Sequence, residues 1–240
     1  MLKISNQAHY YKAHARLLVE SLQTLEFEQE YSLQIDDTAL TLCSDLNGQK
    51  ACFTHSFLDP QLNKRASQKN QGLIKACSNR KNSIVHILDA TAGWGKDSYL
   101  LASQSRKVQL LEYNPLLYHC LRYLLTTAQA EKNPQVQGMS LQYANSLDYL
   151  SQQELTGIDC IYLDPMFPAH KSGARPGKDL QMLQQITHNQ AIEQVFQLAL
   201  QKDVQRVVVK RPLHADHLDG LKPDISYKEK TIRFDVYLGQ

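Results

Sequence analysis

The larger, C-terminal part of the chain constrains the fold through a regular alternation of two patterns. From residue 84 onward, short apolar runs alternate with stretches whose apolar residues have helical spacing. Such alternation is typical of a parallel β-sheet with helices on both faces, because each pair of parallel strands needs a crossover connection. The predicted strands span 84–89, 108–112, 140–143, 158–163 and 204–210, followed by a hairpin of Ile225–Lys228 and Ile232–Leu238. The predicted helices span 96–104, 115–131, 147–153 and 178–200.

Residues 1–80 follow a different pattern. A helix is predicted over 12–28 from the spacing of its leucines. The predicted strands here are Tyr31–Ile35, 39–43 and 50–54. Asn47 and Gly48 are a typical two-residue hairpin turn between the last two of these strands. The sequence therefore predicts a small N-terminal α/β appendage over residues 1–80, ahead of a main α/β domain over residues 81–240.

The first predicted strand of the main domain ends in Asp89 and leads into a turn that contains Gly93 and Gly95. Glycines in a strand-to-helix turn let backbone N–H groups approach a ligand closely, and the helix that follows adds partial positive charge. The turn is not a dinucleotide fingerprint, because Ser98 replaces the third glycine of that motif, and it is not a P-loop, because no G-K-[ST] follows. Asp89 and Gly93 are candidate cofactor contacts, although the turn alone does not identify the ligand.

A carboxylate stands at the end of the next predicted strand. Glu112 lies about twenty residues after the glycine turn, where nucleotide-binding α/β folds place the acid that binds ribose hydroxyls. Asn114 and Pro115 follow as a typical N-cap and first helical residue. Glu112 is thus a candidate ribose ligand, and the alternative is a solvent-facing charge at a strand end.

Another acid follows the fourth predicted strand, in the sequence Asp164-Pro165-Met166-Phe167. The carboxylate of Asp164 and the main-chain carbonyl at Pro165 can accept hydrogen bonds from an exocyclic amine, and Phe167 offers a face on which a base can stack. Such a site accelerates a reaction mainly by placement and local charge. The alternative interpretation is an ordinary Asp-Pro turn after a strand. Together with the glycine turn and Glu112, the motif predicts a nucleoside-bearing cofactor, best matched by S-adenosylmethionine, that faces an amine-bearing substrate.

On these motifs the chain resembles the class I S-adenosylmethionine-dependent methyltransferases, and among them the family of small-subunit ribosomal RNA guanine-N2 methyltransferase J. The matching segments, in the same order over residues 50–240, are 89–97, 111–115, 162–168, 207–212 and 233–237. The resemblance implies a Rossmann-like sheet that is mostly parallel and ends in an antiparallel hairpin. It also implies methyl transfer to the exocyclic N2 of a guanosine in 16S ribosomal RNA, with that RNA or the small ribosomal subunit as partner. Carried over by position, it places cofactor contacts at Lys96, Asp97, Glu112, Tyr113, Asn145, Ser146 and Asp164.

The formal net charge of +2 is too small to indicate a nucleic-acid partner by itself, but the charges are unevenly distributed. No acid lies between Asp59 and Asp89, where several Lys and Arg residues fall, and the stretch 170–178 is also basic and free of acids. The second stretch follows the Asp164 motif, which favours phosphate contacts over a merely solvated face. The predicted RNA contacts are Lys171, Arg175, Lys178, Lys210 and Arg211.

The remaining sequence features predict an enzyme without a metal. Five cysteines, widely spaced and without a C-x-x-C pair, predict reduced and mostly buried thiols. His214, His217 and Asp219 lack a further Cys or Glu that would complete a zinc pattern, so no metal is expected. No segment approaches membrane length and no secretory pattern begins the chain, so the expected location is the cytoplasm.

Three other functions remain open at this point. A methyltransferase for another planar nitrogen, adenine N6 or a protein amide, would use a similar acid-proline-aromatic turn. A nicotinamide-dependent oxidoreductase would need the third glycine that Ser98 replaces. A non-catalytic RNA-binding module would use the basic clusters alone and would not need S-adenosylmethionine.

Overall fold

A computed structural model describes residues 1–27, 30–46, 49–68, 71–79, 83–104, 106–165 and 191–239. The helices are α1 (Lys12–Gln23), α2 (Pro60–Ala66), α3 (Gly72–Ala76), α4 (Lys96–Ala102), α5 (Pro115–Ala130), α6 (Ser146–Gln152) and α7 (Ile192–Leu200). The strands are β1 (Leu2–Asn6), β2 (Tyr31–Ile35), β3 (Leu40–Leu46), β4 (Gln49–His55), β5 (His86–Asp89), β6 (Lys107–Glu112), β7 (Met139–Tyr143), β8 (Cys160–Leu163), β9 (Arg206–Pro212), β10 (Ile225–Lys228) and β11 (Ile232–Leu238). Strands and helices alternate from β5 to β8, as predicted. No helix in the described part of the chain is long and apolar enough to span a bilayer.

The main sheet has seven strands in the order β10-β11-β9-β8-β5-β6-β7. Strands β5 to β9 pair in parallel, whereas β11 is antiparallel to both β9 and β10. The chain runs from β5 to β6 and β7 on one side, then crosses to β8 and β9 on the other. Ligands of open α/β sheets bind at the carboxyl ends of strands where the order reverses, which here is between β5 and β8. The predicted Rossmann-like sheet with an antiparallel C-terminal hairpin is confirmed.

Both faces of this sheet are buried under helices. Along β8, Cys160 and Tyr162 belong to a hydrophobic cluster that also contains residues of α4 and α5. Ile161 and Leu163 belong to a second cluster with residues of α6 and α7. Successive side chains point to opposite faces of a strand, so a strand covered on both sides has to be apolar throughout. This explains why every residue of β8 is buried.

Strands β1 to β4 form a second sheet in that order, with β1 parallel to β2 and the other pairs antiparallel. This sheet and the main one contribute to one hydrophobic core, because Leu42 of β3 belongs to the same buried cluster as Leu110 and Tyr162. The N-terminal part therefore shares its core with the main sheet. The division of the chain into two domains at residue 80 stays a prediction.

Several elements differ from the sequence prediction. Strand β1 was not expected, because its five residues offer only two alternating apolar positions, Leu2 and Ile4, which is too short a pattern to predict a strand. Helix α2 was not predicted either, although the sequence contains a typical helix start there: Asp59 caps the helix and Pro60 is its first residue. Helix α3, of five residues, is too short to have a periodic pattern, and the helix predicted over 12–28 ends at Gln23. Outside the described residues lie the predicted turn at 47–48 and the part of the last predicted helix over 178–190.

A disulfide between Cys43 and Cys52 corrects the prediction that all the cysteines are reduced. The two residues lie opposite each other in the β3–β4 pair, with their Cα atoms 4.1 Å apart. Their spacing in the sequence does not reveal the pairing, because it depends on the register of the two strands. Cys77, Cys120 and Cys160 are buried free thiols, as predicted, and burial raises the pKa of Cys120 to about 12.

Candidate active site

Three acids meet at the carboxyl ends of three adjacent strands. Asp89 ends β5, Glu112 ends β6, and Asp164 directly follows β8. Asp89 pairs in register with Leu110 on one side and Tyr162 on the other, so Glu112 and Asp164 each lie two residues further along. Neighbouring strands are about 4.8 Å apart, which separates the backbones at the two outer acids by about 10 Å. The structure thus brings Glu112 and Asp164 to one edge of the sheet, on either side of Asp89.

The turn after β5 is built on two glycines with left-handed backbones, with φ of 54° at Gly93 and 67° at Gly95. The Gly93 N–H donates a hydrogen bond to Glu112 Oε2 at 2.9 Å. Thr91 of the same turn accepts a hydrogen bond through Oγ1 from the backbone N–H of Asp164 at 2.6 Å. The turn therefore connects the ends of β6 and β8, and Thr91 is a site residue that the sequence did not single out.

Glu112 is tied to the main chain through both of its carboxylate oxygens. In addition to the bond from Gly93, Oε1 accepts a hydrogen bond from the Asn114 N–H at 2.7 Å. Burial raises the pKa of Glu112 to about 7, against the opposing effect of these hydrogen bonds. Each carboxylate oxygen has a further lone pair, so Glu112 can still accept hydrogen bonds from ribose hydroxyls. The predicted ribose ligand thus also holds the glycine turn in place.

Asp89 is buried, and its carboxylate accepts hydrogen bonds from the Ser98 hydroxyl and the Thr91 N–H. Burial raises the pKa of Asp89 to about 7, although both hydrogen bonds oppose the shift. Ser98 occupies the position of the missing third glycine, and its bond to Asp89 gives that replacement a structural reason. Because Asp89 is 2% exposed, its contact with a ligand stays a prediction.

Lys210 lies between two carboxylates. Its Nζ is 2.8 Å from Asp97 Oδ2 and 2.9 Å from Asp164 Oδ2. Tyr162 donates its hydroxyl to the same oxygen of Asp97 at 2.7 Å. Burial opposes the charge on Lys210, but the two carboxylates outweigh it and raise the pKa of the ammonium above its usual range. The sequence predicts that Lys210 contacts a phosphate, because it shows the positive charge of this residue. It does not show the two carboxylates that lie beside Lys210 in the folded chain.

The two carboxylates next to Lys210 differ in their surroundings. Burial alone would raise the pKa of Asp97. The charge of Lys210 and the hydrogen bond from Tyr162 outweigh this effect, so the pKa of Asp97 is lowered. Burial and the charge of Asp97 raise the pKa of Asp164, which Lys210 only partly offsets. The side chain of Asp164 is 35% exposed, and its Oδ1 accepts no hydrogen bond from the described residues. Oδ1 of Asp164 is therefore not occupied by any residue that the structure describes.

Three other predicted cofactor contacts lie where helices begin at this edge. Lys96 is the first residue of α4, and its Nζ lies 4.5 Å from the centre of the Phe53 ring. Asn145 caps α6 through its side chain. Ser146 is buried and donates its hydroxyl to the Ala90 carbonyl, which fastens α6 to the end of β5. The side chains of Asn145 and Ser146 thus have structural partners, and their contacts with a cofactor stay a prediction.

Tyrosines form an exposed surface beside Glu112. Tyr113 directly follows Glu112, and Tyr143 is paired with Glu112 across β6 and β7. Both tyrosines are about half-exposed, and their rings are nearly parallel with centroids 6.1 Å apart. Tyr118 packs against Tyr143 at 5.0 Å, and the Arg122 guanidinium lies 5.7 Å from the Tyr118 ring centre. This tyrosine surface, defined by Tyr113, Tyr118, Tyr143 and Arg122, offers ring faces on which planar groups can stack.

The remaining predicted residues divide into buried ones and ones that the structure does not describe. Pro165 is buried at the end of β8. Arg211 is buried as well, and its Nε and Nη2 donate to the Asp216 carbonyl, which favours a structural role over a phosphate contact. Phe167, Lys171, Arg175 and Lys178 lie outside the described residues.

Two of the three residues considered for a metal, His217 and Asp219, have protein partners. His217 Nδ1 lies 3.2 Å from Asp235 Oδ2, and Asp219 accepts a hydrogen bond from Gln197. Within the described residues, no group of three or more His, Cys, Asp or Glu side chains is arranged to hold a metal ion.

Known proteins of one family resemble this chain over most of its length. The family described as "Putative SAM-dependent methyltransferase" matches residues 17–239. The ribosomal RNA small subunit methyltransferase J of Legionella pneumophila (strain Lens) is 36% identical over 235 residues, which cover 95% of this chain and 93% of that protein. The chain belongs to the SAM-dependent methyltransferases, in the methyltransferase J family. The resemblance inferred from its motifs is confirmed.

Two further relatives support membership of this methyltransferase family over the whole chain. The methyltransferase J of Acinetobacter baumannii (strain ACICU) is 32% identical over 256 residues, covering 96% of this chain and 90% of that protein. The crystal structure of a SAM-dependent methyltransferase from Neisseria gonorrhoeae superimposes with a TM-score of 0.69 at 27% identity, covering 99% of this chain and 95% of that one. The superposition with the Neisseria structure thus includes nearly all of residues 1–80, which the sequence suggests as an appendage.

The methyltransferase uses S-adenosylmethionine as its cofactor, and the chemistry of the strand ends fits that molecule. The carboxylates of Asp89, Asp97, Glu112 and Asp164 gather there, and Lys210 forms ion pairs with two of them, Asp97 and Asp164. S-adenosylmethionine carries a positive sulfonium, a positive ammonium and two ribose hydroxyls. An acceptor-rich site of negative charge complements those groups.

The affinity for S-adenosylmethionine is expected to fall as the pH drops through about 7. The pKa of Glu112 is raised to about 7 in the free protein, and ribose hydroxyls bind the ionised form better. Protonation therefore competes with the cofactor, and the loss approaches about tenfold per pH unit below the pKa. Calorimetric titration between pH 6 and 8 measures the effect. A Glu112→Gln variant serves as the control, because it loses the part of the dependence that belongs to Glu112, whereas Asp89, whose pKa is also about 7, still titrates there.

Proposed function

We propose that the protein transfers the methyl group of S-adenosylmethionine to the exocyclic N2 of a guanosine in 16S ribosomal RNA. The observation that carries the proposal is the position of Asp164, which directly follows β8 at the reversal of strand order and has one carboxylate oxygen free of partners in the described chain. The names of the relatives support a small-subunit ribosomal RNA as the substrate. Such a substrate implies a cytoplasmic site of action, as the sequence also predicts.

On the cofactor side, the acids and the glycine turn bind different parts of S-adenosylmethionine. Glu112 accepts hydrogen bonds from the ribose, and Gly93 keeps the turn close enough for backbone contact. Lys96 and Asp97, at the start of α4, bind the amino-acid end. Asn145, Ser146 and Tyr113 line the adenine, with Asp89 below the turn. These assignments combine the family's pattern with the geometry at the carboxyl edge of the sheet.

On the substrate side, Asp164 Oδ1 and the carbonyl at Pro165 accept hydrogen bonds from the N2 amine. These two acceptors orient the nitrogen lone pair away from the protein and toward the cofactor, whose sulfonium supplies an electrophilic methyl group. When bound, the cofactor would give up this methyl group to N2 and would leave as a neutral thioether. N2 then loses one proton, for which Asp164 is the acceptor within reach. Asp164 thereby stabilises the positive charge that develops on N2.

Two surfaces near the site are suited to RNA. Within the tyrosine surface, Tyr113 is assigned to the cofactor, whereas Tyr118 and Tyr143 offer stacking faces to RNA and Arg122 adds positive charge there. Arg65, at the end of α2, is exposed and lies close enough to Asp97 to help lower its pKa. Both features favour a nucleic acid over a protein amide as the acceptor, since a base stacks on aromatic rings and a phosphate pairs with arginine.

The decisive experiment identifies the methylated product. The protein is incubated with isotope-labelled S-adenosylmethionine and either 16S ribosomal RNA or small subunits from cells that lack the endogenous enzyme. The RNA is then digested and its nucleosides are separated by mass spectrometry. Labelled N2-methylguanosine supports the proposal, whereas N6-methyladenosine or label in ribosomal protein contradicts it.

Replacing Tyr143 by Ala is expected to raise the KM for RNA about tenfold and to leave the Kd of S-adenosylmethionine unchanged. The substitution removes one ring of the tyrosine surface, and a base stacked on an aromatic ring contributes about 1–3 kcal/mol. Steady-state kinetics with RNA and calorimetry with the cofactor separate the two constants. A rise in the cofactor Kd with an unchanged KM for RNA would instead assign this surface to the adenine.

A further inference from the structure

We propose that Lys210 is a positioning residue for methyl transfer, which holds the carboxylate of Asp164 through Oδ2 so that Oδ1 faces the acceptor amine. The same ammonium binds Asp97 in the first turn of α4. Lys210 therefore links the residue that receives the substrate to the helix that receives the cofactor. The inference rests on the proposed function, because it assumes that Asp164 binds the amine.

The main sheet, and not a loop, places Lys210 beside Asp164. The last paired residues of β8 and β9 are Leu163 and Val209, so the next residue of each strand is Asp164 on one and Lys210 on the other. On its other side Lys210 is paired with Phe234 of β11. Lys210 thus lies inside β9 and is held by its pairing with β11, which fixes its backbone as precise orientation of a neighbouring carboxylate requires.

Without Lys210, two acids would face each other. Asp97 Oδ2 and Asp164 Oδ2 both lie within 3 Å of Nζ, hence within about 6 Å of one another, where like charges disfavour joint ionisation. The other titratable groups around this pair are Tyr162 on β8, Asp89 on β5 and Arg65 on α2. Tyr162 and Asp89 cannot replace the missing positive charge, and Arg65 forms no ion pair with Asp97 within 4 Å in the described chain. Lys210 is thus the cation that keeps Asp164 an acceptor.

The same geometry argues against a direct contact between the Lys210 ammonium and an RNA phosphate. Only 23% of its side chain is exposed, and a phosphate contact would require it to leave two carboxylates that are partly buried. Removal of one partner from such a pair leaves uncompensated buried charge. A phosphate ligand would change the affinity for RNA and its salt dependence, whereas a positioning residue changes kcat and its pH profile.

The test compares Lys210→Met with Lys210→Arg on unmodified 16S ribosomal RNA. In the Met variant, kcat at pH 7 is expected to fall about tenfold or more, and the acidic limb of the kcat profile is expected to move up by about 1–3 pH units. Activity should accordingly recover as the pH rises. The Arg variant retains the charge, so its acidic limb should stay at the wild-type pH. The KM for RNA and its dependence on salt should be unchanged in both variants.

Lys230→Met, at an exposed position between β10 and β11, is the matched control for the loss of one positive charge. A Met variant with a wild-type pH profile overturns the proposal, and so does one whose KM for RNA rises while kcat is retained. Loss of activity at every pH in both Lys210 variants, with a lowered melting temperature, also overturns it, because the residue would then serve folding alone. Failure of the proposed function is distinct, since the wild-type protein would then form no N2-methylguanosine.

Discussion

Replacement of Asp164 by Ala is expected to lower kcat for methyl transfer by about 1,000-fold, while the Kd of S-adenosylmethionine changes by less than about tenfold. Asp164 has one oxygen bound to Lys210 and another available to the substrate. The bond to the amine strengthens as positive charge develops on N2, so its loss raises the barrier more than it weakens binding. Single-turnover methylation of RNA with labelled cofactor measures the rate, and calorimetry measures the Kd.

The alanine variant is expected to fold, because the contacts that position this turn do not depend on the carboxylate. The backbone N–H of residue 164 still donates to Thr91 Oγ1. Lys210 still has Asp97 as an ion-pair partner at 2.8 Å. The substitution therefore removes an acceptor from the site without breaking the link between the glycine turn and β8.

Asp203→Ala is the control for this substitution, since Asp203 is exposed ahead of β9, at the opposite edge of the sheet. Its kcat should equal that of the wild-type protein. Wild-type kcat in the Asp164→Ala variant would remove Asp164 from the reaction. A Kd for S-adenosylmethionine raised more than about 100-fold would make Asp164 mainly a cofactor ligand, with the amine bound elsewhere.

The main sheet could be predicted from the sequence because its strands are local, apolar runs with clear ends. The last two strands, Ile225–Lys228 and Ile232–Leu238, were predicted with the bounds that the structure gives them. The antiparallel direction of the last pair came from the family resemblance, and the order of the strands was not predicted, since periodicity carries no information on which strands pair. Features that depend on register between distant segments could not be predicted. The Cys43–Cys52 disulfide and the parallel pairing of β1 with β2 are of this kind.

The residues of the candidate site also divide into those that the sequence reveals and those that only the fold reveals. Glu112 and Asp164 could be found from the sequence, because acids at strand ends mark the carboxyl edge of a parallel sheet. The residues that hold them could not. The bond from Asp164 to Thr91 joins positions 73 residues apart, and the bond from Lys210 to Asp97 joins positions 113 apart. A sequence displays the charge of Lys210, but only the fold determines whether that charge meets a carboxylate or a phosphate.

Glu112→Ala is expected to raise the Kd of S-adenosylmethionine about 100-fold or more and to leave the Kd for RNA unchanged. Two hydrogen bonds from ribose hydroxyls to a carboxylate contribute about 1.5–3 kcal/mol each. The same carboxylate accepts hydrogen bonds from the N–H groups of Gly93 and Asn114. The substitution therefore removes a ligand and also loosens the turn on which the cofactor lies. Calorimetry with the cofactor and filter binding with RNA measure the two constants.

A Glu112→Gln variant separates these two contributions. Its single carbonyl oxygen can accept from one of the two backbone amides, so the turn should be held partly and the Kd should lie between those of the wild type and the alanine variant. Hydrogen exchange at Gly93 and Asn114 reports the state of the turn independently of the cofactor. Glu154→Ala, at an exposed position after α6, should change neither quantity. If the amides of the alanine variant exchange faster but its Kd for S-adenosylmethionine stays at the wild-type value, Glu112 serves the turn alone and the ribose binds elsewhere.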